Sequence, residues 1–191
     1  SMENNIKQEI ENTLEVLKKG GIILYPTDTV WGIGCDATNP EAVAKVYKLK
    51  RREEKKAMIC LVNSVKMLEQ YVNKIPNIAY DLIDYAVKPT TIIYDDPIKV
   101  ANNLIAADET LAIRVVDDKF CEPLIYKFRK ALVSTSANIS GEPTPKSFSQ
   151  ISPEILKGVD YIVNLQHSKI SDQPSSIIKI GKDGSVKVIR Q

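Results

Sequence analysis

The sequence has few cysteines and only one histidine, and this scarcity excludes several kinds of site. Its three cysteines, Cys35, Cys60 and Cys121, stand far apart and show no C-x-x-C spacing. We therefore expect neither a disulfide framework nor a zinc site, and we predict a reducing, cytoplasmic location. No residue near His167 would complete a nucleophilic triad with it, so we interpret this histidine as a surface or structural residue.

The sequence also lacks long apolar runs and a strong net charge. No run approaches the roughly 18 apolar residues that a membrane-spanning helix needs, and residues 1–20 lack the apolar centre of a signal peptide. We therefore expect no membrane partner. The net charge of +2 is too small to indicate a general nucleic-acid binder. The length of 191 residues predicts one domain, which we place at residues 3–191 because Ser1 and Met2 resemble a cloning remnant.

Glycine-rich nucleotide motifs are missing as well, and a hydroxyl-rich run is present instead. There is neither a G-x-x-x-x-G-K-[ST] segment nor a G-x-G-x-x-G segment after the first strand. Residues 132–143 read LVSTSANISGEP, so an apolar strand leads directly into small hydrogen-bonding groups. Alone, this run could be an ordinary turn, but such groups can surround phosphate without bulk. Ser134 and Ser136 have no neighbouring histidine base, so we interpret them as binding hydroxyls.

Two further segments contain polar or basic residues that suit an anionic ligand. Residues 25–32 read YPTDTVWG and form a second polar turn after an apolar strand. Residues 45–56 read KVYKLKRREEKK, with seven basic residues against two acidic ones. Two interpretations of the basic run remain open: a solvated helix end, where cations favour the helix dipole, or an electropositive clamp for phosphates.

Hydrophobic periodicity predicts alternating helices and strands. The predicted helices cover 4–19, 40–49, 64–72, 77–87, 120–128 and a segment near 147–157. The predicted strands cover 22–25, 57–62, 90–94, 111–116, 131–134, 161–164 and a closing hairpin of 176–180 with 186–190. This alternation predicts an α/β domain with a mixed sheet, and in open α/β sheets ligands collect where strand ends face loops.

The two polar turns and the basic run together resemble the YrdC/TsaC type of threonylcarbamoyl-adenylate synthase. The matching segments are YPTDTVWGIGCDA at 25–37, KRREEKKAMI at 50–59, LAIRV at 111–115, VSTSANISG at 133–141, PSSII at 174–178 and VIR at 188–190. The resemblance covers nearly the whole chain in order and spacing. It implies a single-domain twisted mixed sheet flanked by helices, with an electropositive concave cavity.

The resemblance also implies a reaction. L-threonine, bicarbonate and ATP would give threonylcarbamoyl-adenylate and pyrophosphate with Mg²⁺, for the threonylcarbamoyladenosine modification of tRNA. N-carboxylated threonine would attack the α-phosphate, so the substrate supplies the nucleophile and no catalytic side chain or protein metal ligand is expected. Implied partners are the threonylcarbamoyl-transfer machinery and, as a further candidate, tRNA itself.

The resemblance assigns two sets of binding residues. The ATP set is Lys50, Arg52, Lys56, Ser136, Asn138 and Arg190, in which Lys50 and Arg52 also position the reacting groups. The threonine set is Thr27, Asp28, Thr29, Thr91, Arg114, Ser134 and Ser176. Arg114 keeps a second interpretation, as a member of a structural salt bridge.

The sequence departs from the family pattern at several positions. Glu53 and Ala57 stand where the family usually has prolines, Lys88 replaces a glycine, and Asp117 with Asp118 replaces a proline and histidine. These changes remove no charged group that the chemistry needs, but they leave a non-catalytic RNA-binding paralogue as an alternative. Another alternative is a carbamoyl transferase of the same fold. Such enzymes usually carry zinc-type cysteine clusters, and this chain has none.

Overall fold

The structure is a computed structural model, which describes residues 1–54, 58–171 and 173–191. Its helices are α1 (Met2–Lys18), α2 (Pro40–Lys50), α3 (Val65–Leu68), α4 (Asn77–Tyr85), α5 (Cys121–Phe128) and α6 (Pro153–Gly158). Its strands are β1 (Ile23–Pro26), β2 (Trp31–Gly34), β3 (Ile59–Val62), β4 (Thr90–Asp95), β5 (Thr110–Val115), β6 (Leu132–Ser136), β7 (Tyr161–Ile162), β8 (Ser176–Ile180) and β9 (Val186–Arg190). No helix in these described ranges is long and apolar enough to cross a membrane.

The strands form one sheet in the order β7-β1-β2-β6-β3-β5-β4-β8-β9. The pairs β1/β7, β3/β5 and β4/β8 are parallel, and the other neighbouring pairs are antiparallel. The predicted α/β domain with a twisted mixed sheet and flanking helices is therefore confirmed. The closing hairpin of β8 and β9 has the predicted bounds.

Local sequence signals set the ends of the helix that leads to the basic run. The Asn39 side chain accepts hydrogen bonds from the main-chain N–H groups of Glu41 and Ala42, and Pro40 occupies the first turn, where it costs no hydrogen bond. The helix stops at Arg51, whose φ of 54° is left-handed. Lys50 is therefore the last helical residue, and the chain turns sharply after it.

The sequence pattern does not predict strand β2, because it favours one polar turn over residues 25–32. Gly32 and Gly34 weaken strand propensity, so the pattern favoured a loop. The structure needs a glycine at position 34 because a Cβ there would lie 2.5 Å from the Val133 carbonyl oxygen and 2.6 Å from a Tyr25 ring carbon. The close approach of three strands explains the glycine.

Other predicted bounds need correction. The helix predicted through Val72 ends at Leu68, and the predicted strand at 161–164 is only two residues long. The helix predicted near 147–157 is a 3₁₀ turn at Phe148–Gln150 followed by α6, because Ser152 caps a new helix whose first residue is proline. Ala57, at the predicted start of β3, lies outside the described residues.

Candidate active site

Two rows of side chains cross one face of the sheet, because residues paired across neighbouring strands point to the same face. The first row contains Ser134, Ile59, Ala112 and Ile93. The second row contains Arg114, Thr91, Ile177 and Arg190. The face therefore combines an apolar floor with two arginines and several hydroxyls.

A cavity of about 300 Å³ lies on this face. Six of the residues predicted for the site line it: Thr29, Arg52, Arg114, Ser134, Ser136 and Arg190. Segments from distant parts of the sequence, including both polar turns, thus meet at one place. The electropositive character of the cavity stays a prediction, to which the three arginines lend support.

Arg114 is buried against Asp28. Its Nε and Nη2 atoms donate to Asp28 Oδ1 at 3.1 and 2.9 Å, and the guanidinium is only 3% exposed. Nη2 also donates to Thr29 Oγ1, and Nη1 donates to Thr91 Oγ1, each at 3.3 Å. The salt-bridge interpretation of Arg114 is therefore confirmed, and the same side chain also lines the cavity.

The hydroxyl of Thr91 lies within a buried pair. Thr91 Oγ1 and Ser175 Oγ are 2.7 Å apart, and the Ser175 carbonyl accepts a hydrogen bond from Arg190 Nε at 2.9 Å. Ser175 lines the cavity and was not predicted, whereas the predicted Ser176 donates to the Gln191 carbonyl oxygen at 3.0 Å. Ser175 lies two residues before Ile177, which pairs with Thr91, so Ser175 is on the same side of the sheet as Thr91.

Arg190 sits close to a second cation. Burial and the nearby Arg114 guanidinium lower the pKa of Arg190. Like charges held together in this way favour an anion between or beside them. The geometry therefore suits a carboxylate or phosphate oxygen at this end of the cavity.

Lys50 is buried beneath the hydroxyl-rich loop. Its ammonium donates to the main-chain oxygens of Ser136 and Asn138, at 2.5 and 2.9 Å, and approaches Asn138 Oδ1 at 3.5 Å. The Lys50 carbonyl accepts a further bond from Ser140 N–H at 2.8 Å. Only 1% of Lys50 is exposed, and burial and Arg52 lower its pKa to about 8. In this structure, all three ammonium donors are used by the protein.

Asn138 is similarly engaged within its loop. Its Oδ1 accepts from Ser136 Oγ at 2.5 Å, and its Nδ2 donates to the carbonyls of Ile139 and Glu142. Asn138 lines a second cavity of about 280 Å³, which is separate from the first except that Thr144 lines both. The Ser136–Asn138 segment thus forms the boundary between two neighbouring cavities.

Three further residues that the sequence analysis singled out are Thr27, Lys56 and His167. Thr27 is buried in its own turn, where its hydroxyl donates to the Val30 carbonyl at 2.7 Å and accepts from Thr29 N–H. Lys56 lies outside the described residues. His167 stacks on Phe148 with ring centroids 3.8 Å apart, which agrees with a structural role.

Acidic groups lie beside the cavity without facing it. Asp118 accepts hydrogen bonds from the main-chain N–H groups of Phe120 and Cys121 at the start of α5. Burial raises the pKa of Asp118, and the charge of Asp28 adds to this rise. Within the part of the chain that the structure describes, no three His, Cys, Asp or Glu side chains cluster so that they could hold a metal ion.

Comparison with protein families and sequences gives consistent matches. The Sua5/YciO/YrdC family model, described as "Telomere recombination", matches residues 15–191. A putative threonylcarbamoyl-AMP synthase of Methanocaldococcus jannaschii is 36% identical over 188 residues, covering 95% of this chain and 87% of the relative. The threonylcarbamoyl-AMP synthase of Xanthomonas euvesicatoria is 30% identical over 172 residues, covering 88% and 91%.

Solved structures share the fold. Escherichia coli YciO superposes with a TM-score of 0.82 at 22% identity, covering 95% of this chain and 88% of YciO. P. abyssi Sua5 complexed with L-threonine gives a TM-score of 0.79 at 23% identity, over 90% of this chain. The chain spans only 50% of that Sua5 chain. At these identities the likeness establishes the fold alone.

Proposed function

This chain belongs to the Sua5/YciO/YrdC family, and we propose that it makes threonylcarbamoyl-AMP and pyrophosphate from L-threonine, bicarbonate and ATP. The activity is a nucleotidyl transfer. The observation that carries the proposal is the meeting of Arg52, Arg114 and Arg190 with Ser134 and Ser136 in one cavity. The names of the sequence relatives and the threonine complex of P. abyssi Sua5 support it.

The composition of the cavity lining favours chemistry by alignment. Among the described residues, no histidine, cysteine, lysine or carboxylate lines this cavity. Those residues therefore do not include a side-chain nucleophile paired with its own general base. N-carboxylated threonine carries its own attacking oxygen, so the protein needs to hold two anions in line and to offset their charge.

The nucleotide is assigned to one group of cavity residues and to the boundary loop. Arg52, Arg190 and Ser136 face the cavity and would contact phosphate oxygens. Lys50 lies beneath this lining, where it places its positive charge under the Ser136–Asn138 segment, and Asn138 lines the neighbouring cavity. The assignment also includes Lys56.

Threonine is assigned to a second group of cavity residues. Thr29, Ser134 and Arg114 face the cavity and offer hydroxyls and one cation to the amino acid. The other members of the threonine set, Thr27, Asp28, Thr91 and Ser176, lie behind or beside that lining and are assigned a supporting part. Alignment of the carbamate with the α-phosphate would occur between these two groups of residues.

Magnesium fits this site as an ion carried by ATP. The chain residues proposed to face the phosphates are arginines and hydroxyls, which bind oxygen anions and leave the metal to the phosphates and water. When bound, the ion would neutralise phosphate charge. The carboxylate of Asp28 accepts hydrogen bonds from Arg114.

The product is a reactive mixed anhydride, so it requires a consumer. We propose transfer of the threonylcarbamoyl group to tRNA by separate transfer machinery in the cytoplasm. Direct contact between tRNA and this chain is a candidate interaction that this site does not require.

Pyrophosphate release tests the proposal. The protein is incubated with ATP, bicarbonate and magnesium, and release is measured with and without L-threonine. We expect release that depends on both L-threonine and bicarbonate. Release that is independent of L-threonine would contradict the proposal. A non-catalytic RNA-binding protein would show no release and would bind RNA in a parallel titration.

A further inference from the structure

We propose that Asp28 is a positioning residue, which fixes the guanidinium of Arg114 and does not itself touch the substrate. This inference rests on the proposed function, because it states how one residue of the threonine set acts. Asp28 and Arg114 come from segments that are 86 residues apart in sequence. Their ion pair joins the first polar turn to the buried strand β5.

The position of Asp28 carries the inference. Asp28 does not line the 300 Å³ cavity, although its neighbour Thr29 does. Asp28 lines a different cavity, of about 400 Å³, together with Val115 and Asp117. The carboxylate thus lies behind Arg114 as seen from the proposed substrate, and it is 17% exposed.

The number of N–H donors that Arg114 already uses gives the second argument. A guanidinium has five N–H donors in one plane. The bonds of Nε and Nη2 to Asp28, of Nη2 to Thr29 and of Nη1 to Thr91 use four of them. One N–H at Nη1 remains that no described residue accepts. Arg114 can therefore offer a ligand a single, fixed donor direction.

Burial explains why this arrangement needs a carboxylate. An uncompensated cation that is 3% exposed is strongly unfavourable, whereas a carboxylate that accepts from two nitrogens holds it in a set plane. Asparagine would offer one acceptor and one donor, and the donor would face an N–H of Arg114. Glutamate would keep the charge but displace the guanidinium by one methylene.

A double-mutant cycle tests the inference. L-threonine binding is measured by calorimetry for wild type, D28N, D28E, R114Q and D28N/R114Q. The control is D84N, which removes an exposed carboxylate of α4. We expect D28N and D28E each to weaken binding about tenfold, and the double variant to bind within about twofold of R114Q. D84N should match wild type.

The outcomes separate this inference from the proposed function. Wild-type binding by D28N or D28E would overturn it. So would additive losses in the double variant, because these would indicate that Asp28 contacts threonine directly. If the wild type does not bind threonine, the proposed function fails, and the ligand-free measurement below tests the positioning of Arg114 by itself.

A ligand-free measurement keeps the inference testable if one variant folds poorly. The Nε–H signal of Arg114 in a ¹H–¹⁵N spectrum should exchange slowly in wild type and in D84N. In D28E it should shift and exchange faster, because the two-nitrogen contact is lost. An unchanged Arg114 signal in D28E would contradict the positioning role.

Discussion

The ammonium of Lys50 lies 2.9 Å from the main-chain oxygen of Asn138, so the last residue of α2 anchors the hydroxyl-rich loop from below. A second bond, from the ammonium to the Ser136 carbonyl, fixes the loop at the point where β6 ends. The basic run and the hydroxyl-rich run are therefore one structural unit. The phosphate-binding surface that we propose depends on this contact.

Replacing Lys50 by methionine should loosen that unit. Lys50→Met keeps the apolar stem but leaves the Ser136 and Asn138 acceptors without their donor. We expect the free energy of unfolding to fall by about 2 kcal/mol at neutral pH, and ATP binding to weaken. Urea unfolding and calorimetry measure the two effects. Lys48→Met, at an exposed position of the same helix, is the control and should change neither.

The difference in stability between wild type and Lys50→Met should depend on pH. Burial and Arg52 lower the pKa of Lys50 from its usual 10.5 to about 8. Between these values the unfolded chain still binds the proton that the folded protein has lost, so stability rises with pH. Relative to Lys50→Met, wild type should gain up to about 3 kcal/mol between neutral pH and about pH 10. A constant difference across that range would contradict a buried, partly desolvated ammonium.

Arg52 should matter for ATP far more than an exposed charge does. Arg52→Ala removes a cation from the cavity lining, and we expect ATP binding to weaken about tenfold or more in calorimetry. Glu15→Lys, a charge reversal at an exposed position of α1, should have little effect. Equal losses in the two variants would contradict the phosphate contact.

For Asp118 we expect the opposite of the Lys50→Met result: removing the buried charge should not lower the stability of the protein. One of its oxygens accepts from two main-chain N–H groups, and the other is buried without a hydrogen-bond partner. Asp118→Asn keeps an accepting oxygen and removes the buried charge, so the melting temperature at neutral pH should be equal to or above that of wild type. Asp118→Ala leaves the N–H groups of Phe120 and Cys121 without their acceptor and should melt lower.

The pH dependence of Asp118→Asn follows from its raised pKa. Since the folded protein binds the Asp118 proton more readily than the unfolded chain, wild type loses stability as pH rises through the folded pKa. The advantage of asparagine should therefore be present at neutral pH and disappear below about pH 4. A destabilised Asp118→Asn protein at neutral pH would indicate that a cation compensates this carboxylate.

Much of the fold could be predicted from local signals. The cap at Asn39 with Pro40 set the start of α2, and the turn around Gly184 set the closing hairpin. The strand β2 could not be predicted, because the glycine at position 34 is required by close packing against Val133 and Tyr25. Such contacts join distant segments and leave no periodic pattern in the sequence.

The site residues, like the fold, could be predicted from the sequence only in part. The order of the motifs predicted which segments contribute to one site. It could not distinguish the side chains that line the cavity from those behind the lining. Lysine is almost never fully buried, so nothing in the sequence indicated that Lys50 would lie under its loop. The choice between Ser175 and Ser176 depended on the pairing of β8 with β4, which is a property of the sheet.

Isotope transfer tests the central claim most directly. The wild-type protein is incubated with ATP, magnesium, L-threonine and ¹³C-labelled bicarbonate, and the products are identified by mass spectrometry. Our account predicts an adenylate that contains threonine and the labelled carbon, formed together with pyrophosphate. Formation of AMP or ADP without a labelled threonine adduct would contradict it.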